Sequence, residues 1–297
     1  MYKNKIIFLF IIIIICFLNI FIYKFRFQIC LCTTGKLENK YIKEYIQYYK
    51  NFGVDKIFLY DNNEQNSEKF EEIIKEEINN RFVKIINYRG KKKIQLKAMN
   101  ACYKKNFKKY NWLIFYDIDE FLFLKNYSNL KNYLKEPKFN KCQVIQLNWV
   151  MHTDNNLVHY NNKSVVERFP EIGISLNNSI DIKSIIRGNI NTNIVSMHYL
   201  SPKLINCDGF GNKKEINNFF SQKRDKKFYY INHYYTKSTE EFIEKMMKGC
   251  VAHGEPRRFG LIKNYFEINK ITLEKIKYIE KKTGLDLTKY KNNNFYV

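Results

Sequence analysis

The chain has 297 residues, 45% of them hydrophobic and 27% charged, with a formal net charge of +22. This length and apolar content exclude a disordered tail or a miniature stapled scaffold, and provide for one large domain or two small ones. So positive a charge ordinarily points to nucleic acid or an anionic surface. Here, however, the excess of Lys, Asn and Ile beside 11 Gly and 4 Pro follows from adenine- and thymine-rich codons alone, and no arginine-rich arm is present, so no nucleic-acid partner is expected.

After a short tail at residues 1–5, residues 6–23 are apolar apart from Asn19. Such a run can cross a bilayer core of roughly 30 Å, and the flank Tyr23-Lys24-Phe25-Arg26-Phe27 suits an interface. It reads as a transmembrane helix, with the membrane as a partner through residues 6–23. The expected localisation is single-pass membrane, Golgi or endoplasmic reticulum type II if the source is eukaryotic. Lys3 and Lys5 compete with Lys24 and Arg26, so the positive-inside rule sets no orientation.

A first strand follows from Gln28 with almost no stem. Residues 38–52 then carry Tyr41, Ile42, Tyr45, Ile46 and Tyr49 at helical spacing and stop at Asn51-Phe52-Gly53. A strand over 54–60 ends in Asp61-Asn62-Asn63, Ser67 and Glu68 open a helix to Ile78, and 82–87 and 94–106 read as strand and helix. This alternation predicts an α/β fold with a Rossmann-like, mostly parallel sheet flanked by helices. Ligands of such sheets collect beyond the carboxyl ends of the strands. Further strands are expected at 142–149 and 182–187. Ser238-Thr239-Glu240-Glu241 is a capping-box start, and 271–282 is amphipathic. One globular domain over 28–240 is expected, with a helical C-terminal extension over 241–297 packed on it. The cysteines at 16, 30, 32, 102, 142, 207 and 250 include no C-x-x-C pair. They give no zinc spacing and leave room for one or two disulfides.

Residues 112–121, Trp-Leu-Ile-Phe-Tyr-Asp-Ile-Asp-Glu-Phe, put an acidic triplet at the end of an apolar strand. Strand alternation would project Asp117 and Asp119 to one side with Ile118 opposite. Paired carboxylates repel unless a proton or cation lies between them, and oxygen ligands suit Mg²⁺ or Mn²⁺. The competing reading is that the acids merely cap the next element. Phosphate-loop, H-E-x-x-H, G-x-S-x-G and G-x-G-x-x-G patterns are absent.

Several motifs in order resemble the glycosyltransferase family 2-like and family 92 proteins. They are Glu38 to Glu44, Asn51 to Asn63, Gln95, Trp112 to Phe121, Ile182 to Arg187, His198, and Asn232-His233-Tyr234-Tyr235-Thr236-Lys237-Ser238. The resemblance implies a GT-A fold and a hexosyltransferase that moves a sugar from a nucleotide-sugar donor, a UDP- or GDP-sugar, to a glycan or glycoprotein acceptor. It implies Asp117 and Asp119 as metal ligands with His233, His198 being a rival, and Asp117, Asp119 and Glu120 as the catalytic acids. Glu38, Asp61, Asn62, Gln95, Asp117, Lys183 and Lys237 would meet the donor, with Arg187 another phosphate candidate. The catalytic base stays open among Glu167, Asp181 and Asp208. The chain departs from the family at Ala98-Met99-Asn100, where an aromatic is usual, and at Gly188, where Pro is common. The alternatives are a non-catalytic anchored binding protein that keeps the fold and a basic nucleic-acid-binding protein.

Overall fold

Strand β1 (Ile29–Gly35) turns Ile29 and Leu31 to one face and Cys30 and Cys32 to the other, and all four are buried. A strand covered on both faces lies inside a sheet with helices on each side. The computed structural model describes residues 26–173, 182–194, 196, 198, 203–214, 227–248 and 260–291. Within it β1 pairs in parallel with β2 (Lys56–Asp61), β2 pairs in parallel with β3 (Val83–Asn87), and β4 (Trp112–Phe115) flanks β1 on its other side, also in parallel. Helix α1 (Asn39–Asn51) covers one face through Tyr41, Ile42, Tyr45, Ile46 and Tyr49, and α2 (Gln95–Asn106) covers the other through Ala98 and Cys102. Gly53, at φ 94°, ends the first helical segment in the left-handed region where glycine costs least.

Beyond β4 the sheet becomes mixed. Strands β5 (Glu120–Leu124), β6 (Val144–Met151), β7 (Ile182–Arg187), β8 (Asn206–Cys207) and β9 (Tyr229–His233) complete a nine-stranded sheet of order β3-β2-β1-β4-β7-β6-β9-β5, with β8 beside β6. The β4–β7, β6–β7 and β5–β9 pairs are antiparallel, while β6 pairs in parallel with β8 and β9. Among the described residues parallel pairs still outnumber antiparallel ones by five to three, in line with the mostly parallel expectation. Parallel crossovers need a dozen or more residues, usually helical. Among the described residues between β5 and β9, no helix exceeds the five residues of Leu130–Leu134. The helix expected from Ser67 to Ile78 is likewise two short helices, Phe70–Ile73 and Lys75–Asn79, broken at Ile74.

Helices α3 (Thr239–Met247), α4 (Gly260–Ile268) and α5 (Leu273–Thr283) share a separate core of Phe242, Ile243, Met246, Tyr265, Ile276 and Ile279. The Lys275 ammonium lies 2.6 Å from Asp154, which also accepts a bond from the Tyr265 hydroxyl, and this ties α4 and α5 to the loop after β6. Among the described residues two disulfides are formed. Cys32–Cys102 joins β1 to α2, Cys142–Cys207 joins the segment before β6 to β8, and Cys30 remains a buried thiol. The expected transmembrane segment at 6–23 lies outside the described residues, and among the described residues no helix is long and apolar enough to cross a membrane. The single-pass membrane localisation is withdrawn on that finding.

Candidate active site

β4 ends at Phe115, so Asp117 and Asp119 do not alternate along a strand as the sequence suggested; they lie in a turn that carries the chain from β4 to β5. The turn closes on itself, with the Glu120 amide donating to the Asp117 carbonyl and the Asp117 amide donating to the Glu120 carboxylate at 3.0 Å. β5 then pairs with β9 in the register that sets Glu120 opposite His233, while the Asp119 carbonyl accepts from Tyr234. Backbone pairing therefore brings Asp119, Glu120 and His233 together, and one ligand atom from each lies within 4.8 Å of the others.

The donor set fits a hard divalent ion. Glu120 is fully buried with its Oε1 3.2 Å from the Lys183 ammonium, and His233 Nδ1 is buried without a hydrogen-bond partner. A buried polar atom left unpaired is costly, and a cation at this cluster would satisfy His233 Nδ1. Burial pushes Glu120 well above the ordinary carboxyl range although Lys183 opposes it. Burial also lowers His233 against the pull of Asp119, which favours the neutral imidazole that ligation requires. Asp119 is the opposite case. Burial would raise it, but Lys245, His233 and Lys237 outweigh that and hold it well below the usual range. Its Oδ2 accepts from Lys245 and lies 4.0 Å from Lys237, and its Oδ1 is 3.6 Å from His233.

Asp117 is not in the three-residue cluster. Its carboxylate accepts from Lys183 Nζ at 2.6 Å and from Gln95 Nε2 at 2.9 Å. Lys183, on the part of β7 that runs past the end of β4, is 2% exposed and also lies 3.2 Å from Glu120. It is thus a fixed internal cation rather than a solvated lysine. Burial works to raise Asp117, and Lys183 outweighs it. Gln95, Asp117 and Lys183 line a narrow cleft with Thr33, Tyr60 and Phe115.

The other expected residues are spread more widely. Asp61 accepts from Arg89 at 2.7 Å, and the Asn62 amide clamps the carbonyls of Tyr88 and Lys91, so both brace the loop after β3. Glu38 stands apart from the Asp117 cleft. It lines a larger cavity of about 530 Å³ with Tyr41, Lys237, Lys245 and Lys248, and it accepts from Lys248. Lys237 also faces that cavity, over the Tyr41 ring at 4.4 Å, with its backbone at φ 52°. His198 contacts the far partner of His233: Trp149 packs at 4.1 Å from the His233 ring and 5.3 Å from that of His198. Arg187 bonds the carbonyls of Phe139 and Cys142, away from the cluster. Of the proposed bases, Glu167 pairs with Lys163 and is more than half exposed, Asp208 braces its own turn through Phe210 and Asn212, and Asp181 lies outside the described residues. Lys245 and Lys248 were not anticipated. Their only trace in the sequence is the polar face of a capped amphipathic helix.

Residues 25–283 match the profile of Glycosyltransferase family 92. The chain belongs to that family. A family 92 protein of Ricinus communis is 25% identical over 240 residues, 75% of this chain and 38% of the relative, so the chain spans well under half the length of that relative. Among solved structures, S. aureus TarS 1–349 in complex with UDP-GlcNAc superposes at TM-score 0.40 with 14% identity over 74% of this chain and 64% of that one. A Pyrobaculum calidifontis mannosyltransferase in complex with GDP-Man and Mn²⁺ superposes at TM-score 0.32 with 9% identity over 42% of this chain and 36% of that one. Both superpositions are partial.

Proposed function

We propose that this family 92 chain is a GT-A type, metal-dependent hexosyltransferase that moves a sugar from a nucleotide-sugar donor, a UDP- or GDP-sugar, to a glycan or glycoprotein acceptor. The observation that carries this reading is the Asp119–Glu120–His233 cluster, with the unpartnered buried Nδ1 of His233, at the carboxyl end of β4. These three residues would hold Mn²⁺ or Mg²⁺. When bound, such an ion neutralises the charge that develops on the departing diphosphate. The chain's own groups do the rest. Lys183 keeps Asp117 ionised and fixed, Gln95 orients its second oxygen, and the nucleoside would lie at the mouth of the narrow cleft they line. Lys237 and Lys248 stand in the adjoining cavity as cations for phosphate oxygens. Glu38 lies in the same cavity, paired with Lys248, and is therefore not assigned to the nucleoside.

The test is transfer and hydrolysis over a panel of nucleotide sugars, with Mn²⁺, with Mg²⁺ and with a chelator. Turnover of one donor that chelation abolishes and Mn²⁺ restores is the expected result. Equal turnover by Asp119→Asn and the parent chain would refute the role given to the cluster.

A further inference from the structure

We propose that Lys245 is a tethered counter-ion, which occupies the Asp119 carboxylate until a divalent ion displaces it into the neighbouring cavity. The inference rests on the metal reading above. Lys245 Nζ donates to Asp119 Oδ2, the residue common to the ligand cluster and to the lysines around it. An ammonium and a divalent ion at bonding distance from one carboxylate repel strongly in a buried site, and the neighbouring carboxylates, Asp117 and Glu120, are already paired with Lys183. One of the cations must yield.

Lys183 cannot move easily, being enclosed between Asp117 and Glu120 on an interior strand. Lys237 is 4.0 Å away, pinned over Tyr41, and leaves room for an ion. Lys245 also donates to the Tyr235 carbonyl at 3.1 Å and lies 4.2 Å over the Tyr235 ring, but its place in the fold is different. It is on the last turn of α3, and its side chain forms part of the wall of the 530 Å³ cavity, so its four-carbon stem can rotate into open space. That cavity already contains a place to receive it. Glu38 gives one oxygen to Lys248, and its other oxygen, Oε2, is buried without a hydrogen-bond partner. A released Lys245 would satisfy that oxygen, and the ammonium would then stand beside Lys237 and Lys248 on the side where phosphate groups are proposed to bind.

The experiment measures Mn²⁺ binding to the full chain by the electron paramagnetic resonance signal of free Mn²⁺, with no donor and no turnover involved. Lys245→Met should bind Mn²⁺ about ten-fold or more tightly than the parent, the size expected when a close charged competitor is removed. Lys245→Arg, which keeps the cation, should bind as weakly as the parent, and Asp119→Asn should lose the site. Equal affinity in Lys245→Met and the parent overturns the counter-ion and leaves the metal site standing. No binding by either overturns the metal site and the inference together. A footprint on the parent chain covers the case in which Lys245→Met fails to fold. Acetylation of Lys245, read by mass spectrometry, should rise on adding Mn²⁺ while that of Lys183 stays low. An unchanged Lys245 signal in protein that has bound Mn²⁺ overturns the inference.

Discussion

Removing the Glu241 carboxylate should unlock the junction between the sheet and the C-terminal helices. Both partners of the Arg168–Glu241 pair are at most 2% exposed at their side chains, and the guanidinium donates two bonds at 2.6 and 3.0 Å. The same carboxylate accepts the Tyr41 hydroxyl at 2.7 Å and the Ser238 hydroxyl at 2.6 Å, and it closes the capping box of α3. Glu241→Ala leaves a buried guanidinium unpaired, which costs about 3–5 kcal/mol, and loss of the cap adds about 1 kcal/mol. At about 2–4 °C per kcal/mol for a domain of this size, the melting temperature should fall by roughly 10 °C or more. Calorimetry and guanidinium titration at pH 7 measure it. The double variant Arg168→Met with Glu241→Met should recover much of the loss, since an apolar pair of similar volume leaves no buried charge. A loss below about 1 kcal/mol, or a double variant no better than Glu241→Ala, would refute the assignment of this pair. The acid limb offers a second check. Burial would raise Glu241, but the bonds from Arg168 and Ser238 outweigh it and hold the group below its ordinary value of 4.5. Its contribution is therefore complete above pH 4.5 and is lost as the pH falls through the lower folded value, so Glu241→Gln should flatten that limb.

Three further outcomes are expected. The Cys32–Cys102 and Cys142–Cys207 bridges close loops with sequence separations of 70 and 65, so each stabilises by about 4 kcal/mol in the chain-entropy picture; thermal melts with and without reductant, with non-reducing peptide maps, test this. Gly188→Ala should destabilise strongly, by about 2 kcal/mol or more, because a Cβ there would meet the Tyr110 carbonyl oxygen at 1.9 Å; chemical denaturation measures it, and a neutral result would refute the packing. His152, buried with Nδ1 2.7 Å from the Phe169 carbonyl, is lowered from 6.5 mainly by burial. The unfolded chain then binds the proton first, so stability falls as pH drops below 6.5, and His152→Gln should remove part of that slope in a pH series of melts.

Where the sequence was informative, one physical signal sufficed. The helical spacing of Tyr41, Ile42, Tyr45, Ile46 and Tyr49 names the residues that α1 buries, and Ser238 with Glu241 forms the capping box expected of them. The 182–187 strand is found at those bounds. The structure brings the expected Asp119 and His233 together with Glu120, and the expected Gln95 and Lys183 onto Asp117, but Lys245 was not legible. Lys245 meets Asp119 across 126 positions, and no periodicity reports a pairing so distant in a chain this rich in lysine. The alternation that placed Asp117 beside Asp119 failed because β4 stops at Phe115, where β7 delivers Lys183 in place of further strand. Gly188 also gains a reason. Its amide donates to the Asn111 carbonyl, a bond that proline could not make.

The chain contains two tryptophans, and their positions make it a self-reporting optical system. Trp112 opens β4 under the Arg187 guanidinium, at the end of the strand away from the acidic turn. Trp149 packs its indole 4.1 Å from the His233 ring. Under the metal reading proposed above, paramagnetic Mn²⁺ at the cluster would quench Trp149 while Trp112 supplies a steady background. Fluorescence titration of Trp112→Phe then isolates the signal of the site without any label.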